Sequence, residues 1–435
     1  MKHLIALVSL LCAPLGAQAQ DWPAFMGDAG RTGQTHAAAP CIPDLKPSWR
    51  LSLHAPVSAT PVVAGGRLIL ATEDGDVRAF DLATRKPLWW RHTEGAIAST
   101  PAVADGRIHV LSRDGFLYAL SLDGQLLWRF KTGGEHRFAA VGGYGLAPAL
   151  GPIPDPWDLY QSSPLVQGGK VYFGSSDGHV YALDAATGAL VWSHAAGDPV
   201  HSSPAYADGR IYIGTWGTRI LALDAASGAE LWAFQGRADR AKSIMLGVTA
   251  APSTDGEIVY AGARDGFLYA LDARTGALRW RYDAAGSWVL STAAFDAERL
   301  YFGTSDTGLF VALNRRDGKE AYRVDTKVWT YASSPLVGDA VFTATMSGEL
   351  LALERRTGRV LWRWRTAEGT RDEEDILDEA GKLRGKALFG AGQQMQAGVQ
   401  RVKALGAFVA SPIWTDGQLI AVTATGEVLG FRPAR

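Results

Sequence analysis

The sequence predicts an all-β fold, a closed eight-bladed β-propeller made of four-stranded antiparallel blades. Three observations carry that prediction. A unit of about forty residues recurs along almost the whole chain, the period of a propeller blade. Its opening residue returns as Pro61, Pro101, Pro164, Pro204, Pro252, Pro335 and Pro412, with Ala294 in a degenerate copy, so the units number eight. Its closing aromatic returns as Trp89, Trp128, Trp192, Trp232, Trp280, Tyr322 and Trp362, but the last unit stops at Phe431 without one. Trp49 stands ahead of the first unit with no unit of its own, so the strand around it is expected to complete the eighth blade and close the ring.

Taken in order, residues 1–19 read as a cleaved signal peptide. Lys2 and His3 precede an apolar stretch from Leu4 to Leu11, and Ala17-Gln18-Ala19 suits cleavage after Ala19. The mature chain is therefore expected in the periplasm or outside the cell. Leu11 is too large for a lipobox residue before Cys12, so no lipid anchor is expected, and cleavage leaves Cys41 without a disulfide partner in the monomer. No other apolar run is long enough to span a bilayer. Residues 20–44 form a strap, beginning Asp21-Trp22-Pro23-Ala24-Phe25-Met26-Gly27-Asp28, expected to pack on the propeller's side. Residues 45–435 are the propeller.

The third unit shows the texture of a blade. Pro164-Leu165-Val166 turns at Gly168-Gly169 into Val171-Tyr172-Phe173-Gly174, and Asp177-Gly178 supplies the positive φ of a tight hairpin. Val180 to Asp184 follows, and Thr187-Gly188 turns the chain into Leu190-Val191-Trp192. A blade cannot bury both of its faces alone, so blades must stack around an axis. The repeated Trp49, Trp89, Trp128, Trp192, Trp232, Trp280 and Trp362 suit that stacking as docking wedges. A buried indole removes roughly 200 Å² from water, on the order of 5 kcal/mol at most. Ala182 and Ala222 are expected to leave room for a neighbouring blade's ring.

The string Tyr181-Ala182-Leu183-Asp184-Ala185-Ala186-Thr187-Gly188-Ala189-Leu190-Val191-Trp192 resembles the tryptophan-docking repeat of the PQQ-like propellers. It recurs as Leu223-Asp224 to Trp232 and Leu271-Asp272 to Trp280. That family takes in quinoprotein dehydrogenases and the BamB-like scaffolds of outer-membrane protein assembly, and this chain is closer in character to the scaffolds. For an enzyme, the resemblance would imply PQQ over a Trp floor, Ca²⁺ with carboxylate and amide ligands, an Asp base and two adjacent Cys. No Cys-Cys pair and no Cys-x-x-Cys-His haem site is present. Asp74, Asp114, Asp177, Asp265 and Asp306 precede hairpin glycines, and Asp81, Asp184, Asp224 and Asp272 follow the third strand. A residue repeated in blade after blade performs one structural task, so none is assigned to catalysis. His136, His179, His194 and His201 lack ligand spacing, and no nucleophile elbow, phosphate loop or His-Glu-x-x-His motif occurs. Lys and Arg number 43 against 44 Asp and Glu, which leaves no basic footprint for nucleic acid.

The departures from the repeat point to a binding face. Insertions at 133–158 and 367–406 follow the outer strands of blades 2 and 7, on the face that also carries the hairpins between second and third strands. The first is rich in Gly and Pro (Gly142-Gly143-Tyr144-Gly145, Pro152 to Trp157), and irregular. In the second, Asp372-Glu373-Glu374-Asp375 ahead of Lys382, Arg384 and Lys386 suits a short helix beginning near Arg371, with another amphipathic turn from Gln393 to Val402. Four residues before each opening residue stand Val57, Ile97, Tyr160, Val200, Val248, Leu290, Tyr331 and Phe408, an apolar ring at the funnel entrance. The candidate binding face is Trp157, Tyr160, His201, Trp288, Trp329, Tyr331 and Phe408, with the insertions meeting above it. The expectation is a monomeric, non-enzymatic, exported scaffold for a protein partner or an exposed peptide strand in the envelope, with no cofactor. The alternative is a PQQ-dependent oxidoreductase with Ca²⁺, or a quinone or small-ligand sensor using the funnel.

Overall fold

A computed structural model describes residues 21–35, 42–44, 46–141, 148–237, 246–389 and 393–433. The signal peptide, Cys12, Cys41 and the Gly142-Gly143-Tyr144-Gly145 run lie outside them. Among the described residues are eight four-stranded antiparallel sheets and one two-stranded hairpin. Each of the first seven blades follows chain order from axis to rim, as in blade 3: Leu165–Gln167, Lys170–Gly174, His179–Asp184 and Leu190–Ala195. The third strand is buried through its middle because a blade lies against either face, whereas alternate residues of the outer strand are exposed.

The eighth blade is split as expected. Trp49–Ser52 runs antiparallel to Glu427–Phe431, with Trp49 opposite Gly430. Every outer strand of blades 1–7 carries one extra residue just before its aromatic. In blade 3, Ala182 faces Trp192 while Leu183 faces Leu190, so Val191 bulges. The small residue thus faces the Trp of its own blade, and the ring covers the following blade. A Cβ on Gly188 would lie 2.6 Å from Trp128, and one on Gly228 the same distance from Trp192. The indole N–H groups of Trp89, Trp192, Trp232 and Trp280 donate to carbonyls of the next blade at 2.8–3.2 Å. At the closing seam, Arg85 takes the place of that glycine at φ 61° and lays its guanidinium over Trp49, 5.8 Å from the ring centre.

The strap does not lie on the propeller's side. It crosses the end of the channel where the inner strands run out, because those strands present unpaired backbone edges there. Trp22 and Val63 exchange backbone hydrogen bonds at 2.8 and 2.9 Å. Val103, Tyr206, Thr254, Phe295 and Leu336 then donate in turn to Pro23, Ala29, Gly30, Thr32 and Gly33 at 2.7–3.2 Å. Arg31 is fully buried at its centre and donates to the carbonyls of Pro204 (3.0 Å), Pro164 (3.2 Å) and Phe25 (2.5 Å). Burial lowers its guanidinium to about 10, partly offset by Asp28. One arginine therefore seals the base of the ring.

Candidate functional site

Above Phe25 the channel narrows to a small cavity of ≈ 30 Å³ with contributions from all eight blades. A belt of hydroxyls lines it, each accepting from the backbone N–H of the blade before. Thr60 donates to Thr100, Thr100 to Ser163, Ser163 to Ser203, Thr292 to Ser333, Ser333 to Ser411, and Ser411 back to Thr60, at 2.8–3.1 Å. Ala251 interrupts the belt at blade 5. The belt also corrects the repeat alignment. Thr292 and Ser333 occupy the slot that Ser163 holds, so Ala293 and Ser334, not Ala294 and Pro335, fill the opening-proline position. Val289 and Thr330, both buried, accordingly hold the apolar slots against Gly262 and Gly303, as Val200 does against Gly174. Leu290 and Tyr331 turn one register further and line the channel.

Both insertions lie over the opposite mouth and meet. The first contains the hairpin β1 (Ala139–Val141) and β2 (Pro152–Pro154). The second holds α1 (Ala367–Arg371), α2 (Gly385–Leu388) and α3 (Gln393–Ala404). The expected helix near Arg371 ends there instead of beginning. Thr366 accepts the Gly369 N–H at its start, and Asp372 enters the left-handed region at φ 43° and turns its carboxylate to the N–H groups of Ile376 and Leu377. Trp157 from the first insertion packs edge-on to Trp329 (4.7 Å), Phe389 (5.6 Å) and Tyr331 (6.2 Å). Trp288, Leu290, Met346, Leu388 and Val402 join this cluster. Tyr160 sends its hydroxyl across the channel to the carbonyl of Val409 at 3.1 Å.

Beside the aromatics runs a buried polar network. The Asp158 carboxylate accepts from His201 Nδ1 (2.8 Å) and from the Phe138 N–H (2.7 Å). His201 Nε2 meets Ser176 Oγ at 2.7 Å. Burial alone would raise the Asp158 carboxyl, but His201 and Arg113 hold it below the usual range. Ser176, His201 and Asp158 thus stand in the line of a nucleophile, base and acid. Ser176 Oγ, however, already lies 2.8 Å from the carbonyl of His136 and 3.1 Å from Glu135, both on the first insertion. This line is a clamp for the insertion, not an open nucleophile. Burial raises the Glu135 carboxyl, with Ser175, His201 and Ser176 offsetting part of the effect. Arg264 lies between the rings of Trp216 (4.8 Å) and Trp288 (3.9 Å) and pairs with Asp155 at 2.6 Å. Phe138 stacks flat on Trp216, centroids 4.1 Å apart and planes 5° off parallel. On the far side, Lys403 of α3 pairs with Glu73 at 3.2 Å.

Of the candidate binding face, Trp157, Tyr160, Trp288, Trp329 and Tyr331 come together in the lid, and His201 sits in the clamp beneath it. Phe408 does not reach the mouth. It is buried between blades 7 and 8 with Phe342, Trp414 and Ala332, because the slot it fills faces a neighbouring blade, not the axis. The missed residues are Phe138, Glu135, Asp155, Asp158 and Arg264. For the first four the only signal was that the first insertion places acids and an aromatic at its two ends, whereas Arg264 stands in blade 5 just ahead of the hairpin Asp265-Gly266.

The PQQ and Ca²⁺ that the resemblance to quinoprotein enzymes would imply find little room here. Phe138 already covers the Trp216 face that a planar ring would need, and Asp155, Glu135 and Lys403 already answer Arg264, Ser176 and Glu73. Among the described residues no group of three or more His, Cys, Asp or Glu is placed to hold a metal ion.

A family model described as outer membrane protein assembly factor BamB matches residues 44–143, 146–286 and 241–434. The dehydrogenase subunit of a quinone alcohol dehydrogenase from Komagataeibacter europaeus is 33% identical over 157 residues, 30% of this chain and 21% of that protein. The outer membrane protein assembly factor BamB of Shewanella oneidensis is 26% identical over 126 residues, 26% of this chain and 32% of its own length. The chain thus matches about a third of either relative at most. The crystal structure of BamB from Moraxella catarrhalis superposes with a TM-score of 0.64 at 19% identity, covering 89% of this chain and 100% of that one, a likeness of fold.

Proposed function

Because this chain belongs to the family of the outer membrane protein assembly factor BamB, we propose that it is a non-enzymatic, exported, monomeric scaffold that holds a protein partner in the cell envelope. The observation that carries this reading is the lid itself. The funnel mouth is filled by the chain's own side chains, while the hairpin above it leaves Val141 and Leu150 more than half exposed. Pro152 and Pro154 lack N–H groups, so β2 offers no row of donors at its free edge, whereas Ala139 and Val141 of β1 keep theirs. An extended segment of a partner could add along β1 by backbone pairing. Trp157, Trp329 and Tyr331 would then position the hairpin without touching the partner. Among the described residues no helix is long and apolar enough to cross a membrane.

A photoreactive residue at Val141 or Leu150 should cross-link an envelope protein in intact cells, and one at Leu231, exposed on an outer strand, should not. Equal labelling from both sites, or none from the hairpin, would overturn the reading. The identity to a quinone alcohol dehydrogenase favours PQQ-dependent oxidation as the second reading. It requires dye-linked alcohol oxidation that appears with added PQQ and Ca²⁺ and vanishes with chelator, whereas the scaffold reading expects background rates.

A further inference from the structure

The axial chamber between Phe25 and Tyr160 is small, and its hydrogen bonding is one-sided. At ≈ 30 Å³ it has room for roughly two water molecules, or for one halide ion in their place. The hydroxyl oxygens of Thr60, Thr100, Ser163, Ser203, Ser333 and Ser411 each already accept a backbone N–H, and among the described residues none of these hydroxyls has an acceptor for its own hydrogen. Each has spent an acceptor site and kept its donor. Two further groups on the chamber wall are emptier still. Gln161 gives Oε1 to the Ala98 N–H at 3.0 Å, but its Nε2 has no partner, and neither has Thr292 Oγ1, although the two residues are only 1% and 2% exposed. No carboxylate, lysine or arginine is among the described residues that line the chamber. Beneath its floor stands a cation. The Arg31 guanidinium lies 5.7 Å from the centre of the Phe25 ring, and its hydrogen bonds all go to carbonyls, two of them on the residues that follow Ser163 and Ser203. Asp28, the acid that partly offsets its burial, is itself partly exposed.

We propose that the axial chamber binds one monoanion of halide size, such as chloride, held by the hydroxyl belt and the Gln161 amide. Donors left desolvated without acceptors cost free energy, and a small anion accepts from several of them at once. A cation fits worse. The backbone N–H groups have taken lone pairs it would need, no carboxylate stands beside it, and Arg31 would repel it from below. Larger anions such as gluconate or sulfate exceed the room. Because the belt draws on blades 1, 2, 3, 4, 6, 7 and 8, a bound anion would tie the ring together at its axis. This inference stands apart from the scaffold reading, because it concerns the core of the ring and not what the lid's outer surface meets.

The test dialyses the full chain into sodium gluconate and follows thermal unfolding as sodium chloride or bromide replaces it at constant ionic strength. Either halide should raise the unfolding temperature by about 2 °C or more and then saturate, as a ligand of the folded state alone does. Crystals grown in bromide should show one anomalous scatterer on the axis between Phe25 and Tyr160. Thr292→Val removes a hydroxyl that has no partner to lose, so it should fold and cut the halide shift, as should Gln161→Met. Ser227→Ala, on an exposed rim turn, should keep the shift in full. Equal unfolding temperatures in chloride and gluconate would overturn the proposal, as would a halide shift that survives both chamber variants. So would bromide crystals with only water on the axis, or a shift that follows sodium against choline at fixed chloride.

Discussion

At the scale of single residues, two positions separate tasks that the repeat pattern merges. Gly168 and Gly188 both have positive φ, at 57° and 74°, but a Cβ on Gly168 meets nothing within 4 Å while one on Gly188 meets Trp128 at 2.6 Å. Alanine should therefore cost about 1 kcal/mol at Gly168, the backbone share alone, and at least twice that at Gly188, where the docking ring must also move. Equal losses in urea midpoints would mean that the Trp does not seat on that turn. Arg31 meets a different kind of demand. Replacing it with Met keeps the volume but leaves the carbonyls of Phe25, Pro164 and Pro204 buried without donors, a cost of about 3 kcal/mol or more. The reading fails if Arg31→Met unfolds at the wild-type midpoint. Nothing in the spacing of the repeat marks Arg31, because its partners are main-chain carbonyls that any residue supplies.

At the scale of elements, the two insertions are held to the ring by carboxylates of opposite tendency. Asp158 and Glu73 are depressed in the folded chain despite burial, by His201 and Arg113 and by Lys403 respectively, so their stabilisation is present above the ordinary carboxylate range and lost as pH falls through the folded values. Glu135 is raised by burial, so its share is present at low pH and weakens as pH rises through its folded value. The lid should stay docked at neutral pH and loosen only below about pH 4, seen as faster amide exchange at Phe138 and Trp157 before the blades open. Asp158→Asn should flatten that acid limb, and an unchanged limb would remove Asp158 from the clamp. The place of both insertions over one mouth was legible from which loops they interrupt, since strand order alone decides the face. What they do there was not. Glu135, Phe138 and Asp155 find their partners 41, 78 and 109 residues away through the curvature of the ring, and no local pattern encodes such contacts. The slip at blades 6 and 7 has a similar cause: Ala294 and Pro335 looked like register marks, yet the register is set by the hydroxyls Thr292 and Ser333.

At the scale of the whole molecule, the eightfold count and the split blade were readable because blade after blade repeats the same demands for an outer-strand aromatic, a small facing residue and a turn residue with positive φ. Blade 8 meets those demands with Trp49, Gly430 and Arg85, drawn from both ends of the propeller. Deleting residues 46–53 should leave the ring open between blades 8 and 1 and cost more than the about 3–5 kcal/mol of a single Trp truncation. A deletion that unfolds at the wild-type midpoint would refute closure by that strand. The seam also orders events in time. During synthesis the strand at Trp49 emerges early, and its partner, Glu427–Phe431, emerges after nearly every other blade residue. No ring can therefore close until the strand ending at Phe431 has been made. A chain released prematurely would keep two unmated edges, and any protease that samples loose strands would meet the unfinished copies before the finished ones.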